Sequence, residues 1–229
     1  MPGYSTRELV VRLGGRDYRI RALSDLQQFA DPHQLANRIG ISSALWSLFG
    51  QVWPAGRVLA EAMTTHDIVG KRILELGCGL GLSSLVLQQR RADITASDHH
   101  PLAESFLCHN ATQNRLAAIV YRDLRWEGPD ATLGRFDLII GSDILYESGH
   151  ADLLAAMVSR HALPDAEVLI TDPGRGNSAP FTRALVGQGF AITELRSRFD
   201  AADVAPFRGR LLSYRRGAVM ANGMPMRAH

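Results

Sequence analysis

Seven residues, Glu75-Leu-Gly-Cys-Gly-Leu-Gly81, set three alternating glycines behind an acidic residue, where an apolar run gives way to a helical pattern. Glycine turns through positive φ and leaves its amide groups uncovered, and a helix N-terminus favours electronegative atoms. A nucleotide-like ligand is the chemistry such a turn serves; a ligand-free strand-to-helix turn is the alternative. The dinucleotide fingerprint G-x-G-x-x-G does not fit: counted from Gly77 it needs glycine or alanine where Leu82 stands, and counted from Gly79 it meets Ser84. Asp98 lies roughly 20 residues further on, where an acidic side chain at a strand end can accept both hydroxyls of a ribose. It is equally placed to cap the helix that begins at His99-His100-Pro101, and the two roles are compatible. His99 and His100 diverge as neighbours at a helix start, and no third ligand of suitable spacing follows, so they predict no metal.

The elements that must position these residues follow from periodicity. From Lys71 onward the chain alternates apolar strand patterns with helical ones, as βαβ units in a parallel sheet do. Strands are expected at Arg72 to Leu76, Asp93 to Ser97, Ala118 to Asp123, Phe136 to Gly141 and Glu167 to Thr171. Helices are expected at Leu82 to Arg91, Leu102 to Arg115, His150 to Leu163 and Ala179 to Gln188. Phe190 to Arg196 and Arg210 to Arg215 have no helix between them, which predicts an antiparallel pair at the sheet edge. Upstream, Glu8 to Arg21 reads as a hairpin around Gly14-Gly15, an N-terminal appendage. Short helical patterns follow at Ser24 to Ala30 and His33 to Arg38, then an aromatic stretch from Trp46 to Trp53 and a helix after Pro54. The expected organisation is a hairpin with short helices over 1–45, a Rossmann-like α/β domain over 46–216 with a mostly parallel seven-stranded sheet and an antiparallel last strand, and a loose tail over 217–229.

Three glycines alternating behind an acidic residue are the form associated with S-adenosylmethionine, which has no pyrophosphate to cradle, and Glu75 would then stand near its amino-acid end. From about Trp53 to Pro173 the chain resembles the seven-strand lysine methyltransferases known as methyltransferase family 16, in a bacterial branch. The resemblance is carried by Trp53-Pro54, the turn from Glu75 to Gly81, Asp98, Trp126 after the third strand, and Ser142-Asp-Ile-Leu-Tyr146 after the fourth. It implies a protein substrate, with S-adenosylmethionine held by the Gly77-Cys78-Gly79 backbone at the methionine part, Gly81 within the same turn, Asp98 at the ribose, Trp126 near the adenine, and Trp53 and Ser142 lining the pocket. Asp143 and Tyr146 fall on the family's D/E-x-x-Y/F motif, which implies that Asp143 orients the acceptor amine and Tyr146 walls its channel. Aromatic lining suits a purine and a sulfonium cation, although tryptophans also close cores. The chain departs from the family at Glu127, where glycine commonly follows the tryptophan, and at Ser142, where alanine is common. Asp172-Pro-Gly-Arg175 is similar to relatives that modify electron-transfer flavoprotein β subunits, and it is also a generic turn.

Composition bounds the reading. The chain has 229 residues, 46% hydrophobic and 21% charged, which suits one self-sufficient domain. No stretch approaches the roughly 20 apolar residues of a spanning helix, and Met1 to Arg7 is not an export signal, so a cytoplasmic protein without a membrane partner is expected. Two cysteines, Cys78 and Cys108, are too few for a metal cluster and are expected to be reduced. A formal charge of +2 with scattered arginines, Lys71 being the sole lysine, marks no nucleic-acid patch. Other acceptors, a small molecule or a protein histidine, would keep every cofactor feature, and an inactive cofactor-binding scaffold is a more distant alternative. A nicotinamide-dependent oxidoreductase is disfavoured by Leu82 and by the closing antiparallel pair.

Overall fold

The computed structural model describes residues 4–25, 46–128, 130–201 and 204–217. Most of the expected 24–30 and all of the 33–38 helical patterns, and the tail from residue 218, lie outside them.

The glycine turn leaves the end of a central strand. That strand, β3 (Arg72–Leu76), is buried from Ile73 onward on both faces, as a parallel strand covered by helices must be. It belongs to a seven-stranded sheet ordered β5 (Val120–Asp123), β4 (Asp93–Asp98), β3, β6 (Phe136–Ser142), β7 (Ala162–Asp172), β9 (Val204–Arg215) and β8 (Ala191–Ala201). Pairing is parallel from β5 to β7, whereas β9 runs antiparallel to both neighbours. The strand order reverses at β3, so a crevice opens beyond its C-terminal end, the switch point where ligands bind in such sheets.

The two closing strands form the expected antiparallel pair at the sheet edge, and both are longer than expected. The chain's last strand is not at the rim: β9 inserts between β7 and the edge strand β8. β8 runs on to Ala201, past the expected end at Arg196, and β9 begins at Val204, ahead of the expected start at Arg210. Gly209 permits the insertion, since a Cβ there would come within 2.4 Å of the Asp172 carbonyl and of the Phe207 ring.

Helices cover both faces. Ile73, Leu138, Ile140 and Leu169 face α1 (Pro54–Met63), α2 (Leu82–Gln89) and α3 (Ala103–Gln113), while Leu74, Leu76, Ile139, Val168 and Ile170 face α4 (His150–His161) and α5 (Ser178–Gly187). Pro54 starts α1 because its fixed φ suits the first helical turn, and it holds Trp53 extended.

The N-terminal hairpin, β1 (Thr6–Leu13) and β2 (Arg16–Leu23), is more than an appendage. Gly14 and Gly15 both take positive φ, as a two-residue hairpin turn requires. Val11, Leu13, Tyr18, Ile20, Ala22 and Leu23 are buried in the first of the two cores. Fully buried Asn110 on α3 accepts from the Arg21 amide at 2.7 Å and donates to the Leu80 carbonyl at 3.0 Å, tying the hairpin to the glycine turn. The Leu23 amide donates to the Gly50 carbonyl at 2.7 Å and so anchors the aromatic loop.

At the other end of the sheet Glu167 of β7 is buried against His66 at 3.1 Å, Ser213 at 2.8 Å and Arg215 at 3.2 Å. Burial alone would push its carboxyl up, but hydrogen bonds from His66 and Ser213 and the charges of His66 and Arg215 outweigh that and hold it at about 2. A carboxyl depressed in the folded state stabilises fully above its unfolded value near 4.5, and the stabilisation is lost as pH falls toward 2. Glu167→Gln is therefore expected to lower the unfolding free energy at pH 7 by up to about 3 kcal/mol. Urea titrations of the two proteins should converge between pH 4.5 and 2; a difference that persists in acid would mean that packing, not charge, is what the substitution removes.

Candidate active site

The crevice at the switch point holds a cavity of about 470 Å³, within the range of small-molecule sites. Its floor is the glycine turn. Gly77, Gly79 and Gly81 all take positive φ, at 64°, 54° and 82°. The Cys78 amide donates to the Ser97 carbonyl at 2.9 Å, and the Gly81 amide closes back on the Cys78 carbonyl at 2.8 Å. Each glycine answers a different need. A Cβ on Gly79 would meet nothing within 4 Å, so its backbone lies open to a ligand, whereas a Cβ on Gly81 would lie 2.2 Å from Leu107. Gly81 thus serves the close packing of α3 against the left-handed residue that starts α2, and it does not line the cavity.

Glu75 does not line it either. Its side chain is 2% exposed and its carboxyl receives the Ser84 hydroxyl from beneath the turn. Burial raises this carboxyl to about 7 against the lowering effect of hydrogen bonds from Ser84 and Ser83. Asp98 does face the cavity. Its Oδ2 accepts the Gly79 amide at 2.8 Å and its Oδ1 the His100 amide at 2.9 Å, so it braces the glycine turn and the segment ahead of α3 rather than capping that helix, which starts at Ala103 without a side-chain cap. Each oxygen keeps a second lone pair for a hydroxyl. The Tyr121 hydroxyl donates to the Asp98 carbonyl at 2.9 Å and steadies the strand end.

Aromatic walls complete the cavity. Trp53 lines it with its indole N–H donating to the Leu48 carbonyl at 2.9 Å, which folds the 46–53 loop over the crevice. On the opposite wall Trp126 stands edge-on to His150 at 5.1 Å, and its carbonyl accepts from Arg160 at 3.1 Å. His100, for which the sequence predicts no metal, lines the cavity. Its ring stacks on Phe49 at 4.0 Å, burial lowers it to about 3, and its buried Nε2 has no partner among the described residues. Cys78 is buried as well, and burial first, then the charges of Asp98 and Glu75, keep its thiol protonated. Among the described residues no group of three or more His, Cys, Asp or Glu side chains is placed to hold a metal ion.

The end of β6 brings the remaining residues to the cavity mouth. Ser142 pairs in register with Thr171, and Asp143 follows in the left-handed region at φ 51°, a conformation that Asp tolerates better than most residues. The Asp143 amide donates to the Thr171 carbonyl at 2.9 Å, and the Thr171 hydroxyl donates to the Ala55 carbonyl at 3.0 Å, so three elements fix this residue. The Asp143 carboxylate is gripped by Arg175, with Nε to Oδ1 and Nη2 to Oδ2 both at 2.8 Å. Tyr146 lines the same cavity, edge-on to His150 at 4.5 Å, and burial pushes its hydroxyl up to about 12, aided by the charges of Glu147, Asp98 and Asp143. At neutral pH it is a phenol that can donate, not a base. In the sequence Arg175 stands only within a turn, because its partner lies 32 residues away; its one signal is its place just past the end of β7.

The residues fit an adenosyl group: an open amide floor, a carboxylate with free lone pairs at a strand end, and two tryptophans. Asp98→Ala is expected to weaken S-adenosylhomocysteine binding at least about 100-fold, or ~2.7 kcal/mol, in titration calorimetry. Unchanged affinity would remove Asp98 from the site. For Glu75 the sign is opposite to that of Glu167: a carboxyl raised in the folded state contributes fully below its unfolded value near 4.5 and loses that contribution as pH rises through about 7. Glu75→Gln is accordingly expected to gain stability relative to the native chain as pH rises from 4.5 to about 7 in thermal unfolding scans, and a pH-independent difference would contradict the assignment.

Comparison with known proteins agrees with this geometry. The chain is 33% identical over 195 residues to protein N-lysine methyltransferase METTL21A of Danio rerio, covering 80% of this chain and 84% of that protein. It is 29% identical to the electron transfer flavoprotein beta subunit lysine methyltransferase of Xenopus laevis, covering 61% of this chain and 57% of that one, little more than half its length. The fold matches the magnesium protoporphyrin IX methyltransferase of Synechocystis PCC 6803 solved with bound SAM, with a TM-score of 0.55 at 19% identity over 70% of this chain and 76% of the other. Together with the family profile described as lysine methyltransferase, which matches residues 40–180, these similarities show that the chain is a methyltransferase using S-adenosylmethionine and belongs to the lysine methyltransferase family.

Proposed function

We propose that this methyltransferase acts on the side-chain amine of a lysine in a protein. The observation that carries this reading is the Asp143 carboxylate, held at the cavity mouth and bonded through both oxygens to a cationic nitrogen group, the Arg175 guanidinium. A carboxylate that receives one nitrogen donor there is suited to orient another. Arg175 is 46% exposed on its side chain, so the seat opens toward solvent and a macromolecular acceptor can reach it. Similarity to enzymes named for protein lysine methylation supports the same acceptor.

Bound S-adenosylmethionine supplies an electrophilic methyl carbon on a sulfonium. In this reading Asp98 receives the ribose hydroxyls, the Gly77-Cys78-Gly79 backbone the amino-acid end, and Trp126 the adenine, with Trp53 and Ser142 as further lining; Glu75 and Gly81 act from beneath, by shaping the turn. Asp143 accepts a hydrogen bond from the amine and aims its lone pair, and the Tyr146 phenol walls the channel. A lysine amine has an ordinary pKa of about 10.4 and must shed its proton to bulk water before it reacts, which a slot walled by aromatic rings favours through desolvation. Alignment and exclusion of water are the remaining contributions of the chain. Two free cysteines, Cys78 and Cys108, support a reducing compartment such as the cytoplasm.

The test is methyl transfer from radiolabelled S-adenosylmethionine into a lysate of the host cell, followed by hydrolysis and amino-acid analysis. Label in methyl-lysine on one protein band is expected, and Lys71, as the sole lysine of the chain, confines self-labelling to one site. Label on histidine, on arginine or only in small molecules would replace the lysine reading. Asp143→Asn keeps the left-handed backbone and is expected to lower kcat about 10- to 100-fold with S-adenosylhomocysteine affinity unchanged, as loss of an orienting contact does; undiminished turnover would remove Asp143 from the acceptor site.

A further inference from the structure

We propose that Arg175 is a positioning residue of the acceptor site: its guanidinium cancels the charge of Asp143, so that the carboxylate orients the acceptor amine without holding it as an ammonium ion. This rests on the reading that an amine docks at Asp143.

A bare carboxylate would work against the reaction. An opposite charge at hydrogen-bonding distance favours the protonated amine and raises its pKa by about 1–3 units, yet only the neutral amine has a lone pair to offer. Arg175 removes that penalty. Its fork through Nε and Nη2 takes one lone pair from each Asp143 oxygen and leaves the other for an incoming N–H. A guanidinium does not release its proton in the working range of an enzyme, so the cancellation is permanent. The fork is held from behind: buried Asp172 accepts the Gly174 amide at 2.9 Å and pairs with Arg210 of β9 at 2.7 Å, which fixes the loop that carries Arg175.

The surrounding charges leave Arg175 as the balancing one. Asp172 acts on Arg175 from the end of β7 but is itself paired with Arg210, which also meets Glu194 of β8 at 3.4 Å. After β6, Tyr146 is a neutral phenol and Glu147 faces His150 of α4 at 3.6 Å. Across the cavity Asp98 is bonded to the Gly79 and His100 amides, and His99 and His100 line the wall, with His100 neutral.

Two readouts test the proposal. With the acceptor protein found in the lysate experiment, Arg175→Ala is expected to shift the pH dependence of kcat, which reports the bound amine, toward alkaline by about one unit or more, and Arg175→Lys, which keeps the charge, to stay near the native profile. Methylguanidinium is the second probe. Followed by amide NMR shifts, it is expected to bind saturably to Arg175→Ala, not to the native protein and not to Arg175→Ala combined with Asp143→Asn, and to return the pH profile toward native. An unshifted profile, or no methylguanidinium binding to Arg175→Ala, overturns the proposal. Should Arg175→Ala not fold, Arg175→Met keeps the alkyl stem and answers the same questions. The binding arm needs no acceptor, so the lysine reading can fail while the result for Arg175 stands.

Discussion

The carboxylate of Asp98 is the constraint on which the site depends. One side chain at the end of β4 receives the amide of Gly79 from the neighbouring strand's turn and the amide of His100 at its own helix entrance. It thereby ties the glycine turn after β3 to the end of β4, beside the point where the strand order reverses. Amides that would otherwise point unpaired into a cleft are satisfied by a charged acceptor, and charge-assisted bonds of this kind are the stronger ones. Gly77 and Gly79, free of side chains, then expose the backbone that a ligand can approach.

Charge in the cavity is sparse and placed. His100, Cys78 and Tyr146 are kept neutral mainly by burial, each displaced in the direction that removes its charge. Asp98 stands on one side and the Asp143–Arg175 pair on the other. A sulfonium cofactor suits such surroundings: flat π surfaces attract it without competing for the methyl group, and the Cys78 thiol in the lining is kept protonated.

The hairpin and the aromatic loop show how remote segments serve this geometry. Asn110 links β2 to the Leu80 carbonyl inside the glycine turn, and Gly50 meets Leu23 so closely that a Cβ would fall 2.4 Å from it. The loop that carries Trp53 is therefore anchored on the hairpin through the Leu23–Gly50 hydrogen bond, and the glycine turn through the bonds of Asn110.

Periodicity, the glycine spacing and the acidic residue at the end of β4 were legible in the sequence because they are local: a period of two or 3.6, a positive φ and a helix start are written in neighbouring residues. The family motif added Asp143, Tyr146 and the tryptophans, which local physics alone would have left to the core. Tertiary structure decided what depends on meetings between distant residues. It turned Glu75 under the turn rather than into the cavity, because the β3 pleat aims it at Ser84 on α2. It inserted β9 between β7 and β8, and it brought Arg175 onto Asp143 across 32 residues. An ion pair between two loops leaves no periodic trace in a chain, since its energy comes from where strand ends converge and not from which residues adjoin.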